Sequence, residues 1–435
     1  MAHVYGTYLL HNHMHLIVLS HGMWGRANDF QYIVDQLRSR GYIRYVSPSR
    51  NKGDTRNSQL AAASGIVYCA SSNEGYYTYD GIDVCGYRLA DEICDVISQL
   101  HNKDVKITDL SIVGYSMGGL IARYAIGVLE NRGVFSDNGY MDLQKINARV
   151  FVTTCSPHVG SNIIQPTISA RIFNFIGSWS MARTSRQCFL RDSIKLPLFL
   201  QMTQPGTIWV KALARFDRRV LYANIINDRR CDFYTSGVSL DETYAGHDLK
   251  RLKGPFATGY EPVVLLNKEP QYEGAGLKTP HQPQEDYGSV SKAKWWILHK
   301  ISRFIRLNWL AVRVIVVLPT WFLAFLINAG YQNCRSTMRL SNPPPLELEE
   351  QLKVSAENVV ESIYDTVQDD ADDGLQLTPN MRQIIENFNK LGFEKFFLNI
   401  LTTPMAHAAA IMKLNRPEFY EGIPAVEHLV HSLLA

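Results

Sequence analysis

The hexapeptide Gly114-Tyr115-Ser116-Met117-Gly118-Gly119 constrains this chain more than any other segment. It lies between an apolar run, Asp109–Val113, that reads as a short buried strand and a stretch, Gly119–Glu130, that reads as a helix. A serine at such a junction is held on a sharp turn, and glycines flank it because side chains there would clash. The turn exposes the Ser116 hydroxyl and places backbone N–H groups and a helix N-terminus beside it. Those are the parts that acyl transfer through a serine nucleophile requires.

A chain of 435 residues with 46% hydrophobic residues can bury a large core, in one elaborated domain or two. Its net charge of +3 gives no polyelectrolyte character and no reason to expect nucleic acid as a partner. The seven cysteines are scattered and never in a C-x-x-C spacing, which reads as reduced thiols in a reducing compartment. The absence of any N-x-Ser/Thr sequon agrees with that reading. No signal-type segment is expected at the N-terminus, where Leu16–Leu19 is strand-length and flanked by histidines.

Leu16–Ser20 is a continuous apolar run, as expected of a parallel strand buried on both faces. A helix should follow, with Asn28 as cap and Phe30, Ile33, Val34 and Leu37 on one face. Tyr42–Val46, Ala148–Cys155, Val220–Ile226 and Lys395–Leu401 read as further strands. Leu89, Ile93, Val96, Ile97 and Leu100 mark a helix, as do Ile384–Leu391 and a start at His407–Lys413. Strands alternating with helices predict an α/β class protein with a mostly parallel sheet covered on both faces. Two segments interrupt the alternation. Residues 160–201 mix Ile168, Ile172, Phe173, Phe175, Ile176 and Trp179 with arginines, and residues 267–375 carry an apolar segment, three prolines at 343–345 and the acidic run Asp369–Asp373. The acidic run reads as a solvated linker.

A serine hydroxyl needs a base to take its proton, and the base needs a group to orient it. Hydrolases of this architecture place them in chain order Ser, then Asp or Glu, then His, each past a strand's C-terminal end. Asp228 follows the strand ending at Ile226, with Asp217 and Asp232 as weaker rivals. His407 follows Phe396–Leu401 by a short loop. His21-Gly22-Met23-Trp24-Gly25 follows the first core strand, where a loop can aim the Met23 N–H, alongside the Met117 N–H, at a developing oxyanion. His158 ends a strand but comes too early in chain order to be the base, so a structural role is expected. His11, His13 and His15 alternate, as on a surface strand rather than a metal site. No metal or other cofactor is called for.

Taken in order, His21-Gly22 through Gly25, Thr78–Ile82, Gly86–Ala90, Gly114–Gly119, Ser156-Pro157-His158 and Tyr222–Asn224 with Asn227-Asp228 resemble the serine esterase family of eukaryotic lipase-like proteins, nearest to its fungal lipid-droplet phospholipases. The resemblance covers most of residues 14–270 and returns at 376–413. It implies an α/β-hydrolase fold, Ser116, Asp228 and His407 as the triad, and hydrolysis of fatty-acyl esters of glycerophospholipids. The chain departs from the family pattern in Cys155-Ser156 before Pro157 and in the arginines after Asp228.

Between Arg313 and Arg335 no residue is charged, a length close to that of a membrane span. A single span would part Ser116 and Asp228 from His407 across the bilayer. Basic residues on both sides, among them Lys292, Lys294, Arg303, Arg335 and Arg339, fit two cytosolic ends instead. A monotopic insertion that Pro319 could bend is therefore expected, compatible with the cytosolic face of the endoplasmic reticulum or a lipid-droplet monolayer. The expected organisation is a hydrolase core over 1–266 with a lid-like insertion near 160–201. A membrane-associating insertion over 267–375 with its apolar segment at 307–333 follows, and 376–435 completes the core. The expected activity is a serine phospholipase or lipase acting on lipid at a membrane. A neutral acylglycerol lipase, a protein deacylase or a silent membrane scaffold are the alternatives, and protein partners stay open.

Overall fold

In a computed structural model, described residues are 14–47, 60, 63–137, 145–193, 196–240, 244, 246–273, 318–341 and 377–435. His11, His13, the acidic run, the three prolines and the first part of the apolar segment lie outside them. The strands are β1 (Met14–Ser20), β2 (Tyr42–Tyr45), β3 (Gly65–Cys69), β4 (Ile107–Tyr115), β5 (Asn147–Thr154), β6 (Arg218–Asn224), β7 (Leu252–Gly254), β8 (Val264–Leu266), β9 (Gln271–Tyr272) and β10 (Glu394–Leu398). Eight of them form one sheet in the order β2-β3-β1-β4-β5-β6-β10-β8. All its pairings are parallel except β10 with β8. This is the α/β-hydrolase fold, and β10 brings the C-terminal segment into the same sheet as the N-terminal strands.

The principal helices are α1 (Gln31–Arg38), α2 (Ile82–His101), α3 (Met117–Asn131), α4 (Ile168–Ser180), α5 (Ala182–Cys188), α6 (Ile208–Arg215), α7 (Leu318–Arg339), α8 (Pro379–Asn389), α9 (Ala406–Ala409) and α10 (Ile423–Leu434). They bury the sheet on both faces, and the strand period of two shows how. Leu16 and Val18 of β1 join the apolar cluster under α2, α3 and α6, with Ile66 and Tyr68 of β3. Ile17 and Leu19 join the opposite cluster under α1 and α10, with Val67 and Cys69. Both sets of β1 residues are fully buried, which is why this strand reads as an unbroken apolar run.

Several boundaries differ from those expected. Asn28 is not a helix cap: it lies within a 3-10 turn, Ala27–Phe30, where the Asp29 carboxylate accepts from the Arg26 N–H. The helix at His407 is only four residues long, because Met412 and Leu414 take left-handed backbone angles and end it. The seven cysteines are free thiols.

Candidate active site

The Ser116 turn is built by close packing. Ser116 has φ +56° and ψ −132°, a conformation costly for a side-chain-bearing residue and of order 1–3 kcal/mol in strain. A Cβ on Gly118 would lie 2.1 Å from the Ser20 carbonyl oxygen, and one on Gly22 would lie 2.7 Å from the Ser116 Cβ. The end of β1, the loop after it and the start of α3 therefore touch backbone to backbone. The Ser116 N–H donates to the Thr154 carbonyl at 2.8 Å, tying the turn to β5.

Three residues from distant parts of the chain meet here. His407 Nε2 lies 2.9 Å from Ser116 Oγ, and His407 Nδ1 lies 2.9 Å from Asp228 Oδ2. His407 is 6% exposed, and its backbone carbonyl accepts from the Tyr115 hydroxyl at 2.9 Å. Asp228 Oδ2 also accepts from Asn224 Nδ2 at 2.9 Å, and Oδ1 accepts from the N–H groups of Arg230 and Cys231, each at 3.0 Å. Burial pushes the Asp228 pKa up, but the His407 charge and these hydrogen bonds more than offset it. The carboxyl is held below its ordinary value. An ionised, fully bonded carboxylate behind an imidazole that faces a hydroxyl can orient the ring and stabilise an imidazolium.

The rivals stand elsewhere. Asp217 pairs with Arg149 near the start of β6, away from the strand's C-terminal end. Asp232 precedes the short helix Phe233–Ser236, and burial followed by the nearby Asp228 charge raises its pKa. His158 is fully buried between Arg123 and Thr153, and desolvation, reinforced by the Arg123 and Lys395 charges, drives its pKa well down. His15 contacts Tyr42 and Ser111, and burial lowers its pKa to about 4.

Met117 opens α3, so its N–H points out of the helix N-terminus. The Met23 N–H has no hydrogen-bond partner among the described residues. The loop carrying Met23 is fixed from behind: Thr78 Oγ1 accepts from the Trp24 N–H at 3.4 Å, and the Tyr79 hydroxyl accepts from Trp24 Nε1 at 3.2 Å.

Sequence reasoning assigned no role to Asn224, Tyr115 or Cys155. Asn224 and Tyr115 lie inside quoted motifs, so the segments were visible but not the contacts. Donor atoms of Cys155, Asp228 and His407 lie within 4.8 Å of one another, a spacing a metal could use. Burial, then the Asp228 charge, pushes the Cys155 thiol pKa well up, against the thiolate a metal would need, and Cys155 Sγ accepts from Asn224 Nδ2 at 3.2 Å.

Residues 11–239 match the family model described as "Putative serine esterase (DUF676)". A protein named "Putative lipase C4A8.10" from Schizosaccharomyces pombe is 26% identical over 292 residues, covering 64% of this chain and 34% of that protein. "Putative lipase ROG1" from Saccharomyces cerevisiae is 26% identical over 241 residues, covering 55% and 31%. The chain thus spans about a third of the length of these relatives. Among solved structures, a phospholipase PlaB from Legionella pneumophila aligns with a TM-score of 0.30 at 10% identity, over 54% of this chain and 43% of that one. The lin2722 product of Listeria innocua aligns at 0.26 and 17% identity, over 48% and 70%. With the family model matching more than half of its length, this chain belongs to the serine esterase family that the model describes.

Proposed function

We propose that this protein is a serine carboxylic-ester hydrolase that cleaves fatty-acyl esters of glycerophospholipids at a membrane or lipid-droplet surface. The observation that carries the reading is the continuous chain from Ser116 Oγ through the His407 ring to Asp228, with both hydrogen bonds at 2.9 Å. As Ser116 Oγ attacks the ester carbonyl, His407 Nε2 takes its proton. The Met23 and Met117 N–H groups receive the oxyanion, and Asp228 holds the imidazolium in register. Collapse of the tetrahedral intermediate breaks the ester bond, and His407 returns the proton to the leaving lysophospholipid oxygen. Water, activated by the same imidazole, then releases the fatty acid and regenerates Ser116.

The lipid-surface part of the reading draws support from the relatives named as lipases and from the apolar segment at 307–333. Among the described residues no helix is long and apolar enough to cross a membrane, and residues 318–333, the first part of α7, are the described part of that segment. A monotopic insertion keeps Ser116 and His407 in one compartment and places the protein on lipid droplets or the cytosolic face of the endoplasmic reticulum. The test is product analysis after incubating the purified protein with mixed phospholipids and triacylglycerol. Lysophospholipid and free fatty acid in equal amounts are expected. Diacylglycerol as the sole glycerolipid product would instead make this a neutral lipase.

A further inference from the structure

Two helices far apart in sequence leave large apolar side chains in solvent. On α4 these are Ile168, Ile172, Phe173, Phe175 and Trp179, between 51% and 78% exposed. On α7 they include Phe322, Leu323, Leu326, Ile327 and Tyr331, between 43% and 65% exposed. The two helices touch: Asn333 Nδ2 donates to the Trp179 carbonyl at 3.1 Å. The contact chain continues toward the site. The Arg339 guanidinium lies 5.0 Å above the Tyr77 ring, and the Tyr76 and Tyr79 rings lie 5.5 Å apart. Tyr79 in turn holds Trp24.

The charge on these elements has one sign. Residues 160–191 hold four arginines and 318–341 hold two, with no aspartate or glutamate in either segment; Arg183 pairs with Asp83 and Arg339 with Asp80, which leaves the others to set the surface charge. Arg171 and Arg186 are exposed and make no ion pair among the described residues. Large apolar side chains exposed together on two touching helices call for a partner, and apolar side chains near the unpaired Arg171 and Arg186 suit acyl chains below anionic headgroups. We propose that α4 and α7 form one docking face for an anionic phospholipid surface, set beside the Met23 loop.

This rests on the lipid-surface reading, and the test separates the two. Co-sedimentation is measured with phosphatidylcholine vesicles, with and without phosphatidylglycerol. Wild-type binding should rise with the anionic lipid and weaken with salt. Ile172→Asp with Phe175→Asp, and separately Leu326→Asp with Ile327→Asp, should each weaken binding by about tenfold or more. Melting temperatures check that each variant folds. Loss confined to the α7 pair would reduce the face to a single insertion and overturn the proposal. Unchanged binding in both pairs, with vesicle phospholipid still hydrolysed, would overturn the face while leaving the substrate reading intact.

A separate observation concerns how α7 is seated. Asp80, fully buried, accepts from Ser336 Oγ at 2.6 Å and Arg339 Nη2 at 2.6 Å, both on α7, and from Arg88 Nη2 at 2.7 Å. Asp80 directly follows Thr78 and Tyr79, the residues that hold Trp24. We infer that Asp80 is a positioning residue through which α7 sets the Met23 loop, granted the oxyanion role proposed for that loop. Arg339→Ala should lower kcat on a soluble short-chain ester by about tenfold with KM within about twofold. Its affinity for an alkyl boronic acid, which mimics the tetrahedral intermediate, should fall by the same factor. Arg339→Lys should recover part of both. Ser336→Ala, the milder variant, should show the same pattern at smaller size. A change in melting temperature or KM without a parallel loss of kcat and boronate affinity would overturn it.

Discussion

Ser116→Ala is expected to remove ester hydrolysis by a factor of at least roughly 10⁴ and to abolish labelling by fluorophosphonate probes. The substitution deletes one oxygen and leaves the turn's glycine contacts in place, so the fold should survive. Its stability should change little, since the Cβ that carries the strain at φ +56° stays and the only hydrogen bond lost is the one to His407. Circular dichroism and melting temperature serve as the control. A folded Ser116→Ala protein that still labels at the wild-type rate would place the nucleophile elsewhere.

The serine turn was legible in the sequence because its demands are local. A Cβ on Gly118 would meet the Ser20 carbonyl oxygen and one on Gly22 would meet the Ser116 Cβ, so glycine is required at both, and such constraints write themselves into positions around the serine. Asp228 and His407 were legible for another reason. Each follows a strand that periodicity reveals, and parallel topology puts all such strand ends along one edge of the sheet. Strand β3 was not recognised, because its apolar run is only Ile66, Val67 and Tyr68 after a stretch of small residues. Strand β8, three residues long and antiparallel, carries even less signal. The seat of Arg339 on Asp80 joins positions 259 apart in sequence, and nothing in either segment's composition announces the partner. The Asn224 contacts with Asp228 and Cys155 share that difficulty: polar specificity depends on a register that patterning alone does not fix.

His407→Ala and Asp228→Ala should both be severe, and their effects should not add. Without His407, Ser116 loses the only imidazole within hydrogen-bond reach among the described residues, and kcat should fall by about 10³ or more. Without the Asp228 carboxylate, His407 Nδ1 loses its partner and Asn224 Nδ2, with the Arg230 and Cys231 N–H groups, loses its acceptor. The ring can then turn or take the wrong tautomer, so a comparable loss in kcat is expected. The double variant should be about as inactive as His407→Ala alone, because an unoriented base that is absent cannot be missed twice. Asp217→Ala and Asp232→Ala should keep most of the activity, since neither carboxylate bonds to His407. Steady-state kinetics on a soluble ester reads all five variants. Near-wild-type kcat in Asp228→Ala beside an inactive Asp232→Ala would transfer the orienting role to Asp232, and additive losses in the double variant would break the link between Asp228 and His407 on which the proposed mechanism depends.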